Sequence, residues 1–387
     1  MPFKGRICTR GVWDETVPNI VFNENGVSNY AILFDKLVEA FPRGEQGKKE
    51  WDRLVNKIKT DGKGKQYDCI IGVSGGTDSS YLLHFSKEIG LRPLAVNLDN
   101  GWGSDISVKN IKKITKALNV DLETYVIDYE EIKDLLRSYI LAGLPWIDIP
   151  TDLAIKAVLY KIAAREGIKY ILRGNDFRSE GSQPNEWTYG DGKQLLAVHR
   201  KYGRVKLKTF PNYTLINLSY YGFFRKIKSI YPYYYIDYNK NRTQDFLKKE
   251  YEWEYYGGHH HENLFTKFAI SYWLPEKFGI DKRKITYSAQ ILSGEISREF
   301  ALEQIEKSPY DIESKNEMID YVLKKLDFTH EQFKEEINKA NHTFHDYPSY
   351  DFLFSKMLMF SKPFFKLIFI HKPQSIFMAE MEAEKQR

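Results

Sequence analysis

Residues 72–80 read GVSGGTDSS, directly after the apolar run YDCII (67–71) and directly before YLLHFSKEIG (81–90). An apolar run this short, followed by glycines, reads as a buried strand over 67–73, and the next segment as a helix starting near Asp78. Between them, Gly75 and Gly76 allow positive φ and a close backbone approach. The first N–H groups of a helix lack intrahelical partners, and the helix dipole favours negative charge beside them. Ser74, Thr77, Ser79 and Ser80 add hydroxyl donors. A strand-to-helix turn of this composition is suited to cradle an anion, against the plainer alternative of a glycine turn capped by Asp78. It lacks the lysine of G-x-x-x-x-G-K-[ST] and the spacing of G-x-G-x-x-G.

The alternation continues downstream. The strand RPLAVNL ends in the turn DNGWGS, and a helix follows in DISVKNIKKITKALN. Then come the strand LETYVID, the helix EEIKDLLRSYILAG, a helix over 151–167 and the strand IKYILRG, which runs into GNDFRSEG. Apolar runs alternating with amphipathic helices predict an α/β fold, a doubly wound parallel sheet with right-handed crossovers. Ligands gather at the carboxyl edge of such a sheet. That edge should carry Asn97, Asp99 and Asn100 after the second strand, and Gly174, Asn175 and Glu180 after the fourth. The pattern divides the chain into an N-terminal arm (1–60), the sheet domain (61–235) and a mostly helical region (236–387).

Composition limits the alternatives. The 387 residues are 42% hydrophobic and 28% charged, ordinary for a soluble globular protein. A net charge of +5 without a dense Lys/Arg stripe suits an anionic ligand and does not point to a nucleic-acid partner. No window reaches the ~18 apolar residues of a membrane span, and the N-terminus lacks a secretory signal. The expected location is cytoplasmic. Only Cys8 and Cys69 occur, 61 residues apart, and Cys69 falls inside a strand, so a structural disulfide is not expected. The tail SKMLMFSKPFFKLIFIHK (355–372) reads as a packed element, with a membrane-surface contact as the alternative.

The motif Ser74-Gly75-Gly76-Thr77-Asp78-Ser79 resembles the pyrophosphate (PP-loop) motif of the N-type ATP pyrophosphatases, with an adenine nucleotide alpha-hydrolase-like fold. Those enzymes cut ATP between its α and β phosphates. The resemblance implies ATP and Mg²⁺ as cofactors, Ser74, Asp78 and Ser79 as catalytic candidates, and Val73, Ser74, Gly75, Gly76, Thr77, Asp78 and Ser79 as nucleotide contacts. Asn97, Asp99, Asn100, Gly174 and Asn175 join those contacts. Asp78 is expected to orient a lysine or bind the metal, and Asp99 to hold magnesium or ribose. Asn97, Asp99 and Asn100 could equally be ordinary turn residues.

Three further stretches resemble one family, the N-acetyl sugar amidotransferases of O-antigen and nonulosonic-acid biosynthesis. They are CTRGVWDETVPNIVFNENGVSNYA (8–31), YYGGHHHENLFTKF (255–268) and DKRKITYSAQILSGEISREFAL (281–302). The resemblance implies ATP-driven activation of an acyl group on a nucleotide sugar, with ammonia from a partner glutaminase and cyclase-like pair. A tRNA-modifying PP-loop enzyme, lysidine synthetase-like or thiolase-like, is the alternative. The family opens with two C-x-x-C pairs. Here the matching positions are Cys8, Gly11, Ser28 and Ala31, so no zinc is expected and packing must order the arm. Three adjacent histidines cannot converge on one metal from a helix, because successive side chains point about 100° apart. His259 and His260 are therefore read as substrate contacts, with a metal or capping role as alternatives. Glu180, Lys282 and Arg283 complete the expected substrate set, although Lys282 and Arg283 could equally form a solvated basic turn.

Overall fold

The computed structural model describes residues 5–258 and 261–353, together with Ile370, Gln374 and Phe377. His259, His260 and most of the tail stretch 355–372 lie outside the described residues. At its centre is a sheet of five strands: β1 (Cys69–Gly72), β2 (Pro93–Asp99), β3 (Leu122–Val126), β4 (Tyr170–Leu172) and β5 (Lys228–Ile230). Their order is β3-β2-β1-β4-β5 and every pairing is parallel. In β1, Ile70 points into one core while Cys69 and Ile71 point into the other. A central strand must be apolar on consecutive positions when both faces are covered, which is why CIIG does not alternate.

The helices α3 (Thr77–Glu88) and α4 (Asp105–Ala117) cover one face, backed by α1 (Asn29–Ala40) and α2 (Gly44–Asp61). The helices α5 (Tyr129–Leu141) and α6 (Ile149–Arg165) cover the other. The chain builds outward from β1 to β3, then crosses back to place β4 on the far side of β1. Right-handed crossovers in opposite directions put their helices on opposite faces, so the expected doubly wound fold is present. The order reverses between β1 and β4, and the crevice that opens there lies at their carboxyl ends.

The fifth strand is the element the sequence reading lacked. Three residues, KSI, sit between Lys226 at φ 55° and Pro232 in a run dominated by tyrosines, too short to give a periodic signal. Among the described residues, no helix is long and apolar enough to cross a membrane.

The N-terminal arm is ordered by packing against the helix Arg283–Leu292. Cys8 is fully buried and its Sγ accepts from the Ser28 N–H at 3.3 Å, while Ser28 Oγ accepts from the Ala31 N–H at 3.2 Å. Three of the four family positions thus meet through hydrogen bonds. At Gly11 an added Cβ would stand 2.7 Å from the Trp13 ring, so no larger residue fits. Ser288 Oγ accepts from the Val12 N–H at 2.8 Å, and Lys284 pairs with the buried Asp14. Lys284 and Ser288, one helical turn apart, present both contacts from one face.

Breaking a buried ion pair strands a charge and typically costs about 3–5 kcal/mol. Asp14→Leu and Lys284→Met should each lower the unfolding free energy from urea titration by that order. The double variant should recover much of the loss. Additive losses in the double variant would show that the two charges do not act as a pair.

Candidate active site

The glycine turn lies in the crevice between β1 and β4. Val73 still donates to Val96 O at 2.8 Å, and the chain then turns through Gly75 at φ 78° into α3. A Cβ on Gly75 would meet the Ser107 carbonyl oxygen at 2.2 Å, so only glycine lets the turn approach the start of α4. The Gly75 carbonyl accepts from Asn110 Nδ2 at 3.2 Å and from Trp253 Nε1 at 3.0 Å. A trans peptide points its N–H opposite to its C=O, so pinning that carbonyl outward turns the Gly76 N–H inward. Gly76 caps α3 without a side-chain hydrogen bond. The first amides of the helix meet only neutral hydroxyls. Gly76 N–H reaches Ser74 Oγ at 3.3 Å, Thr77 N–H reaches the Tyr256 hydroxyl at 3.2 Å, and Ser74 N–H reaches Ser79 Oγ at 3.2 Å. Ser74 Oγ in turn donates to Glu262 Oε1 at 3.2 Å.

Asp78, in the first turn of α3, has its carboxylate taken by Lys240 Nζ at 3.1 Å and by the Tyr238 hydroxyl. The Tyr233 hydroxyl donates to its backbone carbonyl at 2.7 Å. Burial alone would pull the Lys240 ammonium down, but Asp78 and Glu180 outweigh it and hold the pKa above the usual lysine range. Asp78 thus orients a lysine at the turn. Behind it, burial lifts Asp176 to about 6 against the opposing charges of Arg43 and Arg178. Burial and the neighbouring Asp176 lift Glu295 to about 7.

A cavity of about 520 Å³ opens from the turn, within the size range of small-molecule sites. Its walls bring together Val73, Ser74, Gly76, Asp78, Ser79, Asn97, Asp99, Asn100, Gly174, Asn175 and Glu180, all anticipated from sequence. Gly75 and Thr77 contribute backbone from behind. Asn100 is 4% exposed and braces the site, donating to Thr151 Oγ1 at 3.1 Å and accepting from the Trp102 N–H at 3.1 Å. Asp99 sits exposed at the rim, where Oδ1 caps the Gly101 N–H at 2.9 Å. Asn175 Nδ2 donates to Glu180 Oε2 at 3.3 Å.

Lys282 reaches the same region, with Nζ 4.1 Å from the centroid of the cavity-lining Trp146 ring. Burial lowers it to about 8, against the pull of Asp152, Glu180 and Asp148. Arg283 is not brought to the cavity. Its guanidinium pairs with Asp281 at 2.7 Å and donates to the carbonyls of Gln304, Ile305 and Lys307, closing a helix end. His259 and His260 lie outside the described residues. The residues that sequence reasoning missed are Asn110, Lys240, Trp253, Tyr256 and Glu262, all converging on the turn.

The amides and hydroxyls fit a polyphosphate. Among the described residues no three His, Cys, Asp or Glu side chains gather into a metal cage. Magnesium carried with phosphates needs only one or two protein carboxylates. Glu262, at the turn itself, is placed to supply one, whereas Asp78 is engaged by Lys240.

A carboxylate in an anion cradle repels what the cradle holds. Glu262→Gln should therefore tighten binding of metal-free pyrophosphate by about tenfold, or ~1.4 kcal/mol, by calorimetry. Excess magnesium should shrink that gain. Equal affinities without metal would remove Glu262 from the cradle. For Glu295 the folded pKa of about 7 lies above the unfolded value near 4.5. Its stabilising contribution is complete below pH 4.5 and lost as pH rises through 7. Glu295→Gln should raise the melting temperature at pH 8 and give little gain at pH 5. A gain independent of pH would show that this carboxyl is not held up.

The C-terminal stretch 262–361 matches the family described as LPS biosynthesis protein WbpG-like, C-terminal domain. An uncharacterized protein of Methanocaldococcus jannaschii is 33% identical over 136 residues, 35% of this chain and 47% of that protein. The match thus spans about half the length of that curated relative. Among solved structures, U34-tRNA thiolase NcsA from Methanococcus maripaludis is similar at a TM-score of 0.32 and 15% identity, covering 70% of this chain and 83% of that one. NMN synthetase from Francisella tularensis follows at 0.30 and 12%, covering 76% and 98%. NH3-dependent NAD synthetase from Campylobacter jejuni gives 0.26 and 14%, covering 39% and 58%. Likenesses this loose carry no function across to this chain. Over residues 262–361, about a quarter of its length, the chain is thus similar to the C-terminal domain of WbpG-like LPS biosynthesis proteins.

Proposed function

We propose that the protein is an ATP-dependent amidotransferase that adenylylates an acyl oxygen of a nucleotide sugar and exchanges AMP for ammonia. The product is an acetamidino or amide sugar for lipopolysaccharide O-antigen. One observation carries the reading: the peptide pinned at Gly75 turns helix amides that meet only neutral hydroxyls inward at the β1–β4 switch point, with Lys240 oriented by Asp78 beside them. That arrangement suits a leaving polyphosphate.

An acetamido carbonyl is a weak electrophile with a poor leaving group. Attack of its oxygen on the α-phosphorus forms an O–P bond and breaks the bond to the β-phosphate, releasing pyrophosphate. Charge growing on pyrophosphate is met by the Gly76 and Thr77 amides, the Ser74 and Ser79 hydroxyls and the Lys240 ammonium. Glu262 at the turn and Asp99 at the rim would hold magnesium, which would supply neutralisation of the phosphate charge. Ammonia then adds to the activated carbon, AMP departs with the former carbonyl oxygen, and a proton is lost. Lys282, lowered to about 8 and set over the cavity-lining Trp146 ring, is suited to accept it. Glu180 is suited to fix the acceptor.

Both cysteines are buried and free, which supports an external ammonia source, a glutaminase and cyclase-like pair, over a built-in thiol nucleophile. The same burial weighs against a sulfur-carrying thiolase. A cytoplasmic setting follows from the need for ATP and nucleotide sugars.

The reaction should form AMP and pyrophosphate, not ADP, and only with nucleotide sugar and ammonium both present. Removing an oxyanion-type donor typically costs about 10²–10³ in rate, so Ser74→Ala should lose on that order with fold intact by circular dichroism. AMP formation stimulated by tRNA, with steep salt dependence, would favour the tRNA-modifying reading instead.

A further inference from the structure

We propose that Lys156, Arg173 and Tyr213 form an anion subsite on the β4–β5 side of the cavity, reached past Arg173, which lines it. It would hold a phosphate or carboxylate carried by the sugar acceptor. That the anion belongs to the acceptor rests on the amidotransferase reading. The subsite itself rests on three separate observations.

First, Arg173 stands at the carboxyl end of β4 and lines the cavity. Its backbone N–H is fixed to Ile230 O at 2.8 Å, and Nε donates to Ser229 Oγ at 3.1 Å. Its two terminal amino groups make no hydrogen bond, and no carboxylate pairs with it among the described residues. Second, Lys156 on α6 has no carboxylate partner among the described residues. Its natural partner would be Asp152, one turn earlier. Asp152 instead accepts from Trp146 Nε1 at 2.7 Å. Lys156 Nζ lies 4.4 Å from the Tyr213 ring centroid, and burial together with the Arg173 charge lowers its pKa to about 8. Third, Tyr213 is 5% exposed, yet its buried hydroxyl has no hydrogen-bond partner.

Two like charges beside an unsatisfied buried hydroxyl are unfavourable unless a fourth group joins them. A cation–π contact explains the Lys156 stem, and a strand-end brace explains Arg173 Nε. Neither explains the free guanidinium face or the hydroxyl. A phosphate or carboxylate would bring counter-charge to Lys156 and Arg173 and an acceptor to the Tyr213 hydroxyl.

Position selects the acceptor over ATP. The glycine turn follows β1, whereas this cluster leans the other way. Ser229, on β5, joins Arg173 to Tyr160 at 3.2 Å, and the Tyr160 and Tyr213 rings lie 5.4 Å apart. These contacts draw Arg173 toward β5, on the side of β4 opposite β1 and its turn.

The test is calorimetry on the full chain with three probes: UDP-N-acetylglucosamine, glucuronic acid and N-acetylglucosamine. At least one charged probe should bind tenfold or more tightly than the neutral sugar. Preference for the first assigns a phosphate, and preference for the second a carboxylate. Lys156→Gln and Arg173→Gln should each weaken the charged probe at least tenfold, and Tyr213→Phe severalfold. ATP affinity should stay within twofold, and melting temperatures should confirm folded variants. Unchanged probe affinity in folded variants, an equal loss of ATP affinity, or no preference for charge would overturn the subsite. Failure of the adenylylation reading looks different: no AMP or pyrophosphate would form, with these binding constants unchanged.

Discussion

The structure turns on one peptide unit, that between Gly75 and Gly76. Its carbonyl is held by two donors, Asn110 from α4 and Trp253 from far along the chain. Two hydrogen bonds to one oxygen fix the rotation of the peptide plane, and that fixes where the opposite N–H points. Positive φ at Gly75 and the absence of a Cβ there are preconditions, because the turn presses against the Ser107 carbonyl. An anion cradle needs amides directed at the ligand before it arrives. Otherwise binding must also meet the ordering cost of about 1–2 kcal/mol per residue. Here the scaffold has already met it.

That constraint explains why residues beyond the sheet return to it. The helix Lys240–Tyr251 brings Lys240 to Asp78, Trp253 reaches the Gly75 carbonyl, and Tyr256 and Glu262 stand over the first amides. The sheet supplies the turn and its dipole, but not the cation beside it nor the groups that orient it. A chain cut at residue 235 would keep the motif and Asn110 but lose Lys240, Trp253, Tyr256 and Glu262. Asp78 illustrates the difference. Its carboxylate lies at the N-terminus of α3, where a negative charge is favoured, and it spends that charge on Lys240 and Tyr238.

What could be read from the sequence follows from how local each signal is. The glycine turn and four strands were legible because apolar runs and glycines are contiguous. The cavity residues at three strand ends followed from topology alone, since a parallel sheet delivers its carboxyl ends to one edge. By contrast Trp253 and Tyr256 act on the turn from 178 and 179 positions away, and both are common residue types in a chain with 27 tyrosines. The strand Lys228–Ile230 was hidden for a related reason, three residues in an aromatic run having no period. Arg283 shows the opposite failure. A basic pair near a family signature reads as an anion contact, while its fork closes the end of the helix Arg298–Glu306 through backbone carbonyls.

A cavity proposed to take two polyanions is lined by several carboxylates, and counting charges would predict that it repels them. The relevant quantity is charge not already committed. Asp78 is held by Lys240, Asp148 accepts from Thr266, Asp152 from Trp146, Glu180 from Asn175 and Glu262 from Ser74. Each carboxylate is thereby stabilised where it stands, and its outward field is reduced by the donors around it. Lys156 and Arg173 have no such counter-charge among the described residues, and the Gly76 and Thr77 amides meet only neutral hydroxyls. Uncommitted positive charge therefore stands on the β4–β5 side through Arg173, while at the turn the Gly76 and Thr77 amides work against the Glu262 carboxylate. Asp78 and Glu262 stand at the turn itself, and Asp148, Asp152 and Glu180 line the rest of the cavity wall. A layout of that kind can hold two anions apart, one at the turn and one beside Arg173, and leave their reacting groups to meet between.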